Sequence, residues 1–342
     1  MRTGAKVILI VLSLVSIAAI VGSIYNRIAI RRYQELAPVP GQFLVVDGHK
    51  MHLYCIGTGE PSVVIEGGLG DTWIGWQLVQ PELARVTRVC SYDRLGLGWS
   101  DPSTGQRDAQ TIVDQLHQLL TQAGVSGRLV LIGQSAGGLF VRLYATKYFN
   151  TIAGLVLVDA TPPESFERIP DNHETPRQRG LRHREAWYSR IKDVVGVSRL
   201  MDQCQSSLPS ALGSYHRYAL AQACRPEYKT SWLGEMDSFE ASASEATNTS
   251  FGNLPLLVIS QDPDRAKPGW SARDINANPI WAAMQEELKT LSTRSRRVIA
   301  RSSGHRVQLD RPDVIVREVS ELILEIRGTA PSLARYGTTI TE

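Results

Sequence analysis

The sequence predicts an α/β fold: a mostly parallel eight-stranded sheet with helices on both faces and an inserted helical cap. Three observations predict it. Short apolar runs alternate with helical patterns as far as Asp159. The rhythm breaks from about Pro162 to Asn253, where no clear strand occurs. It then resumes at Leu254 and continues to Arg327. The break is too long for a plain loop, and it is polar and helix-prone, with Trp187, Tyr188, Tyr215, Tyr218 and Trp232 scattered through it.

The N-terminus is of a different kind. After a basic flank (residues 1–6, with Arg2 and Lys6), Val7 to Ile24 carries no charge. As a helix this run would be about 27 Å long, close to the hydrocarbon thickness of a bilayer. A cleaved signal peptide has a shorter apolar region and a small-residue cleavage site, and Gly22-Ser23 is a poor one. The run therefore reads as an uncleaved, single-pass membrane anchor. Arg2 and Lys6 precede it and Arg27, Arg31 and Arg32 follow it, so the side on which the rest of the chain lies stays open, leaning extracytoplasmic. Residues 25–41 read as a linker broken by Pro38 and Pro40.

The next elements follow in order. Gln42–Val46 and Met51–Ile56 flank Asp47-Gly48, a hairpin turn signal. Ser62–Glu66 reads as a strand, Trp76–Arg85 as a helix, Thr87–Tyr92 as a strand and Ala109–Ala123 as an amphipathic helix. Arg128–Gly133 is a strand, Gly137–Phe149 a helix and Ala153–Asp159 a strand. Beyond the cap, Leu254–Ser260 and Arg297–Arg301 are strands, and Pro279–Leu291 and Pro312–Arg327 helices. The expected organisation is a core of residues 42–161 and 254–327, a cap of residues 162–253 and a disordered tail of residues 328–342. A net charge of +3 on 342 residues does not suggest nucleic acid. No Cys/His cluster suggests a metal, and no cofactor is implied. Cys55 and Cys90 lie in strand-like runs and read as small buried hydrophobes. Cys204 and Cys224 are candidates for a disulfide if the cap faces an oxidising compartment.

Chemistry concentrates in Leu129-Val-Leu-Ile-Gly-Gln-Ser-Ala-Gly-Gly138. A Gly-x-Ser-x-Gly between a strand and a helix holds the serine oxygen exposed on a strained turn, which makes Ser135 the candidate nucleophile. The following helix N-terminus favours a developing oxyanion. His305, just past the last strand, is the candidate general base. The orienting carboxylate is expected after Leu254–Ser260, with Asp262 first and Asp264 as the alternative. Asp159 is a third candidate, read as ordering its loop. For the oxyanion hole, the backbone N–H of Ala136 and that of Leu69, in Gly67-Gly-Leu-Gly-Asp71, are the expected donors. Trp73 and Phe140 are candidates for lining an apolar acyl pocket, although such residues are more often plain core.

From about Phe43 to Ile326 the chain resembles the α/β-hydrolase superfamily, in its capped branch. The resemblance rests on Gly67-Gly-Leu-Gly70, Tyr92-Asp-Arg-Leu-Gly-Leu-Gly-Trp-Ser100, Gly133-Gln-Ser-Ala-Gly-Gly138 and Gly304-His305. It implies that Arg94 braces the loops around the site. Two positions depart from the pattern: Gly67-Gly68 stands where relatives usually carry His-Gly, and Gln261 stands in the acid loop where Gly is commoner. Relatives that open epoxides or remove halogen use Asp at the nucleophile position, so Ser135 points instead to acyl transfer on a small-molecule acyl substrate. Carboxylic ester hydrolysis is the default reaction. Thioester, lactone, amide and carbon–carbon bond cleavage are alternatives, as is a binding protein on the same scaffold.

Overall fold

The computed structural model describes residues 2–102, 105–170, 172–206, 210–247, 250–265, 272–329 and 336–342. It divides into two compact units, one of residues 41–175 and 234–342 and one of residues 1–40 and 176–233.

The first unit is built on nine strands: β1 (Gln42–Val46), β2 (His49–Ile56), β3 (Ser62–Glu66), β4 (Val89–Tyr92), β5 (Leu129–Gln134), β6 (Ile152–Val158), β7 (Leu256–Gln261), β8 (Ser295–Ala300) and β9 (Thr339–Thr341). Their order is β1-β2-β4-β3-β5-β6-β7-β8-β9. β2 pairs antiparallel with β1 and β4, and all other pairs are parallel. The β1–β2 turn needs left-handed backbone at both central residues, and Asp47 and Gly48 supply it at φ 50° and 79°.

The central strands are apolar throughout because both faces are covered. Side-chain alternation sends Leu129 and Leu131 of β5, Leu155 and Leu157 of β6, and Leu256 and Val258 of β7 into one core layer. That layer also takes Ile112, Val113, Leu116 and Leu120 from the helix Ala109–Gln122. Val130, Ile132, Val156, Val158, Leu257 and Ile259 enter the opposite layer with Val314, Ile315, Val319 and Leu322 of the helix Pro312–Ile326. Each such residue is essentially excluded from solvent, and burial of this kind stabilises by roughly 1.5–3 kcal/mol per side chain.

The second unit holds one long helix, α1 (Arg2–Leu36), and the shorter helices Pro176–Val194, Val197–Leu200 and His216–Gln222. The apolar half of α1 is long and hydrophobic enough to cross a bilayer, and Val7 to Ile24 lies almost wholly exposed. From Gly22, near the end of that run, the helix packs within the unit. Gly22 sits so close to Val195 and Gly196 that a Cβ would meet the Val195 carbonyl oxygen. One turn on, Asn26 is buried, donates to the carbonyls of Asp193 (2.6 Å) and Cys224 (3.3 Å), and accepts from Arg199 Nε (2.8 Å). The Arg199 guanidinium lies over the Tyr33 ring.

Four expectations are corrected. Residues 25–36 of the expected linker are helical, because Asn26, Ile30 and Tyr33 put one face of α1 against the unit. Residues 162–175 and 234–253 of the expected cap cluster with the sheet. The tail supplies a ninth strand, since Thr339–Thr341 pairs with Arg297–Ile299, while residues 330–335 of that tail lie outside the described residues. Cys55 and Cys90 are disulfide-bonded, because β2 and β4 pair in a register that sets them opposite each other at a Cα separation of 4.0 Å. Cys204 and Cys224 are also bonded.

Candidate active site

β5 ends at Gln134, and the helix Gly137–Lys147 begins three residues later. Ser135 occupies the turn at φ 53°, a left-handed conformation that costs a non-glycine residue about 1 kcal/mol or more. The turn holds because its surroundings over-determine it. Ser135 N donates to Val158 O, and Ser135 O accepts from Gly138 N and Thr161 N. The flanking glycines are steric requirements. A Cβ on Gly133 would meet Gly137 O at 2.5 Å, one on Gly137 would meet Glu66 O at 2.4 Å, and one on Gly138 would meet Ala160 Cβ at 2.3 Å.

His305 follows β8 on a turn held by Ser302 at φ 61° and by a bond from Gly304 N to Asp310 Oδ2. Its Nε2 lies 2.9 Å from Ser135 Oγ, and its Nδ1 lies 2.7 Å from Asp159 Oδ2. Asp159, at the end of β6 with φ 40°, is fully buried. Its other oxygen accepts from Gln261 N (3.1 Å) and Trp281 Nε1 (3.0 Å). The Trp281 ring stands edge-on to the imidazole at 6.0 Å. The tautomer that donates Nδ1–H to the carboxylate would leave Nε2 free to accept from the serine hydroxyl.

The structure thus brings Ser135 and His305 together and sets Asp159 beside the imidazole, where Asp262 or Asp264 was expected. Asp262 is turned into its own loop: Oδ2 accepts from Ser302 N (2.8 Å) and Oδ1 from Asp264 N (3.1 Å). Asp264 is exposed and paired with Arg301 at 2.9 Å. Asp262 therefore braces the turn that carries His305. The rule that the acid falls between serine and histidine in the chain is met equally by Asp159, and β6 lies beside β5, so Asp159 starts one strand from the serine.

Gly68 packs against the serine: a Cβ there would meet Gln134 Oε1 at 2.6 Å and Ser135 Cβ at 3.1 Å. The adjoining Leu69 and the residue after the serine, Ala136, carry the two expected oxyanion donors. The loop is braced from below. Arg94 Nη1 and Nη2 donate to Gly67 O (3.0 Å) and Gly68 O (2.6 Å). The same guanidinium pairs with Glu66 (2.5 Å) and Glu235 (2.8 Å). Glu235 also pairs with Arg107 at 2.6 Å and accepts from Gly70 N at 2.8 Å. All four side chains are buried. Burial raises the Glu66 carboxyl above its ordinary range, while Arg94, Arg107 and the Gly70 amide overcome the burial of Glu235 and hold it down at about 2. Nothing local in the sequence marks Glu235, because its partners lie more than a hundred residues away.

Trp73 and Phe140, expected to line an acyl pocket, are instead core residues, 1% and 2% exposed. Trp73 packs edge-on against Tyr54 and His52, and Phe140 lies beneath Arg94. A 3₁₀ turn (Trp73–Trp76), tied down by Trp73 N donating to Asp93 Oδ1, aims the first inward.

A family model for the alpha/beta hydrolase family matches residues 63–318. The chain belongs to that family. An uncharacterised protein of Schizosaccharomyces pombe is 25% identical over 86% of this chain and 58% of its own length. A 2-hydroxymuconate semialdehyde hydrolase of Pseudomonas sp. (strain CF600) is 33% identical over 36% of this chain and 44% of its own. Among solved structures, an esterase of Thermogutta terrifontis superposes with a TM-score of 0.56 at 20% identity, covering 84% of this alpha/beta hydrolase and 99% of the esterase. The chain spans about half the length of the first curated relatives it matches.

Proposed function

We propose that this alpha/beta hydrolase cleaves carboxylic esters through an acyl-enzyme, with Ser135 as nucleophile, His305 as general base and Asp159 as the carboxylate that orients the imidazole. The carrying observation is the unbroken path from Ser135 Oγ to His305 Nε2 and from Nδ1 to Asp159 Oδ2, at 2.9 and 2.7 Å. In the first half-reaction His305 takes the serine proton as Oγ attacks the carbonyl carbon, and then gives it to the leaving alkoxide. In the second, His305 takes a proton from water as its oxygen attacks the acyl carbonyl, and then returns that proton to Ser135 Oγ as the acid leaves. The amides of Leu69 and Ala136 receive the oxyanion. Asp159 stabilises the imidazolium without itself taking the proton.

A membrane anchor is part of the proposal, and what supports it is that Val7–Ile24 is apolar, exposed and flanked by basic residues. Two disulfides account for all four cysteines, which favours an oxidising compartment and so the extracytoplasmic side for the folded domain. A fluorophosphonate probe, which reacts with an activated serine, should label the wild-type chain within minutes and leave Ser135→Ala unlabelled. Equal labelling of both, or failure of the wild type to hydrolyse any p-nitrophenyl ester from acetate to octanoate, would refute the assignment.

A further inference from the structure

Where α1 leaves its apolar half, the unit of residues 1–40 and 176–233 contains a cleft of about 420 Å³. Arg27, Arg31, Arg190 and Arg225 line it, with Glu227 as the one carboxylate. Glu227 approaches Arg225 at 3.9 Å. Arg27, Arg31 and Arg190 have no anionic partner among the described residues. Arg27 and Arg31 stand one turn apart on the same helix, an arrangement of like charges that destabilises unless an anion lies between them. All three arginines are exposed, so their charges are open to an anion from outside, and guanidinium groups match phosphate oxygens two at a time.

The position of the cleft says which phosphate. Counted from Ile24, Arg27 and Arg31 lie about 5 and 10 Å further along the helix axis. The polar layer on one side of a bilayer is roughly 5–8 Å thick, so Arg27 falls at headgroup level and Arg31 just outside it, where its long side chain still reaches a phosphate. A second observation agrees. The helix that carries Arg190 exposes Trp187 and Tyr188 at 57% and 64%, and aromatic side chains of this kind concentrate at the membrane interface. We propose that the cleft binds the phosphate of an anionic phospholipid, which makes the second unit a lipid-reading element as well as an anchor. The inference rests on the membrane reading given above.

The test uses the full-length chain in detergent micelles. Dioleoyl phosphatidylglycerol, dioleoyl phosphatidylcholine and inorganic phosphate are titrated separately, with retained lipid counted by native mass spectrometry and inorganic phosphate binding measured by calorimetry. Phosphatidylglycerol should bind one to one and about tenfold more tightly than phosphatidylcholine. The double variant Arg31→Gln/Arg190→Gln should lose about tenfold, and Arg190→Gln alone, which leaves α1 untouched, a smaller share. Arg184→Gln, on the same helix outside the cleft, should bind as wild type. Equal affinity for the two lipids, or wild-type binding by the double variant, overturns the proposal. Inorganic phosphate binding as tightly as phosphatidylglycerol replaces the lipid with a free anion and overturns it too. Carbonate extraction of the wild type from membranes scores the anchor separately, so an extracted chain that still selects phosphatidylglycerol would remove the anchor and leave the cleft standing.

Discussion

Replacing Glu235 by glutamine removes one charge from a buried group of four while keeping its size. The carboxyl sits at about 2 in the folded protein against an ordinary 4.5. That difference corresponds to about 3 kcal/mol of stability at neutral pH. Because the folded value is the lower one, the contribution is complete above about pH 4.5 and fades as the pH falls toward 2. At pH 3 about 2 kcal/mol of it is gone. Glu235→Gln should therefore lower the melting temperature of the sheet-bearing unit at pH 7 by roughly 6–12 °C, and the gap from wild type should narrow on acidification. The substitution also weakens the hold on Gly70 N, in the loop that carries the Leu69 donor. kcat for ester hydrolysis should fall several-fold, with KM little changed. Thermal unfolding monitored by near-ultraviolet circular dichroism at pH 7 and pH 3, paired with ester kinetics at pH 7, measures both effects. A gap of the same size at both pH values, or no gap at pH 7, would refute the electrostatic argument.

Three further outcomes are expected. Asp159→Asn should lower kcat by about 10³–10⁴, whereas Asp262→Asn, which keeps an acceptor for Ser302 N, should cost less than tenfold; rate measurements showing the reverse would restore Asp262 as the orienting acid. Gly137→Ala should destabilise the elbow by about 1–3 kcal/mol, because its methyl would meet the Glu66 carbonyl at 2.4 Å, and chemical denaturation would register the loss. A chain truncated at Gly41 should keep its sheet but lose protease resistance within residues 176–233, since Asn26 and Tyr33 leave with the helix; limited proteolysis identical to that of the full chain would show that the second unit holds without α1.

What could be read in the sequence was what a local pattern determines. Ser135 was visible because a strand, two glycines and a helix surround it, and His305 because it follows the last core strand. Asp159 was a candidate but was read as ordering its loop, since any carboxylate past a strand end between the two meets the same rule. What distinguishes it is the bond from Trp281, a residue far along the chain. Cys55 and Cys90 were correctly placed in strands, yet their bond depends on β2 lying beside β4 in one antiparallel register, which no stretch of sequence encodes by itself. Glu235 is the extreme case: a carboxylate in a polar helix that resembles its neighbours until folding brings two arginines to it. The packing of α1 was partly legible. Gly22, Asn26, Ile30 and Tyr33 recur at three or four residues, the spacing of one helix face, but Pro38 and Pro40 mark a break and the residues before them read as part of the same linker.

The seat of Asp159 on β6 changes what the neighbouring loop has to do. An acid on the loop after β7 must hold an imidazole to within a fraction of an ångström, so every insertion there perturbs chemistry. Here the end of β7 gives Asp159 one backbone amide, from Gln261, while Asp262 braces the turn that carries His305 and Asp264 pairs with Arg301 at the surface. What the chain beyond Pro263 must still deliver is one side chain: Trp281, on the helix Ala272–Glu287, donates to the same carboxylate oxygen, so a change that turns its indole away reaches the imidazole through Asp159.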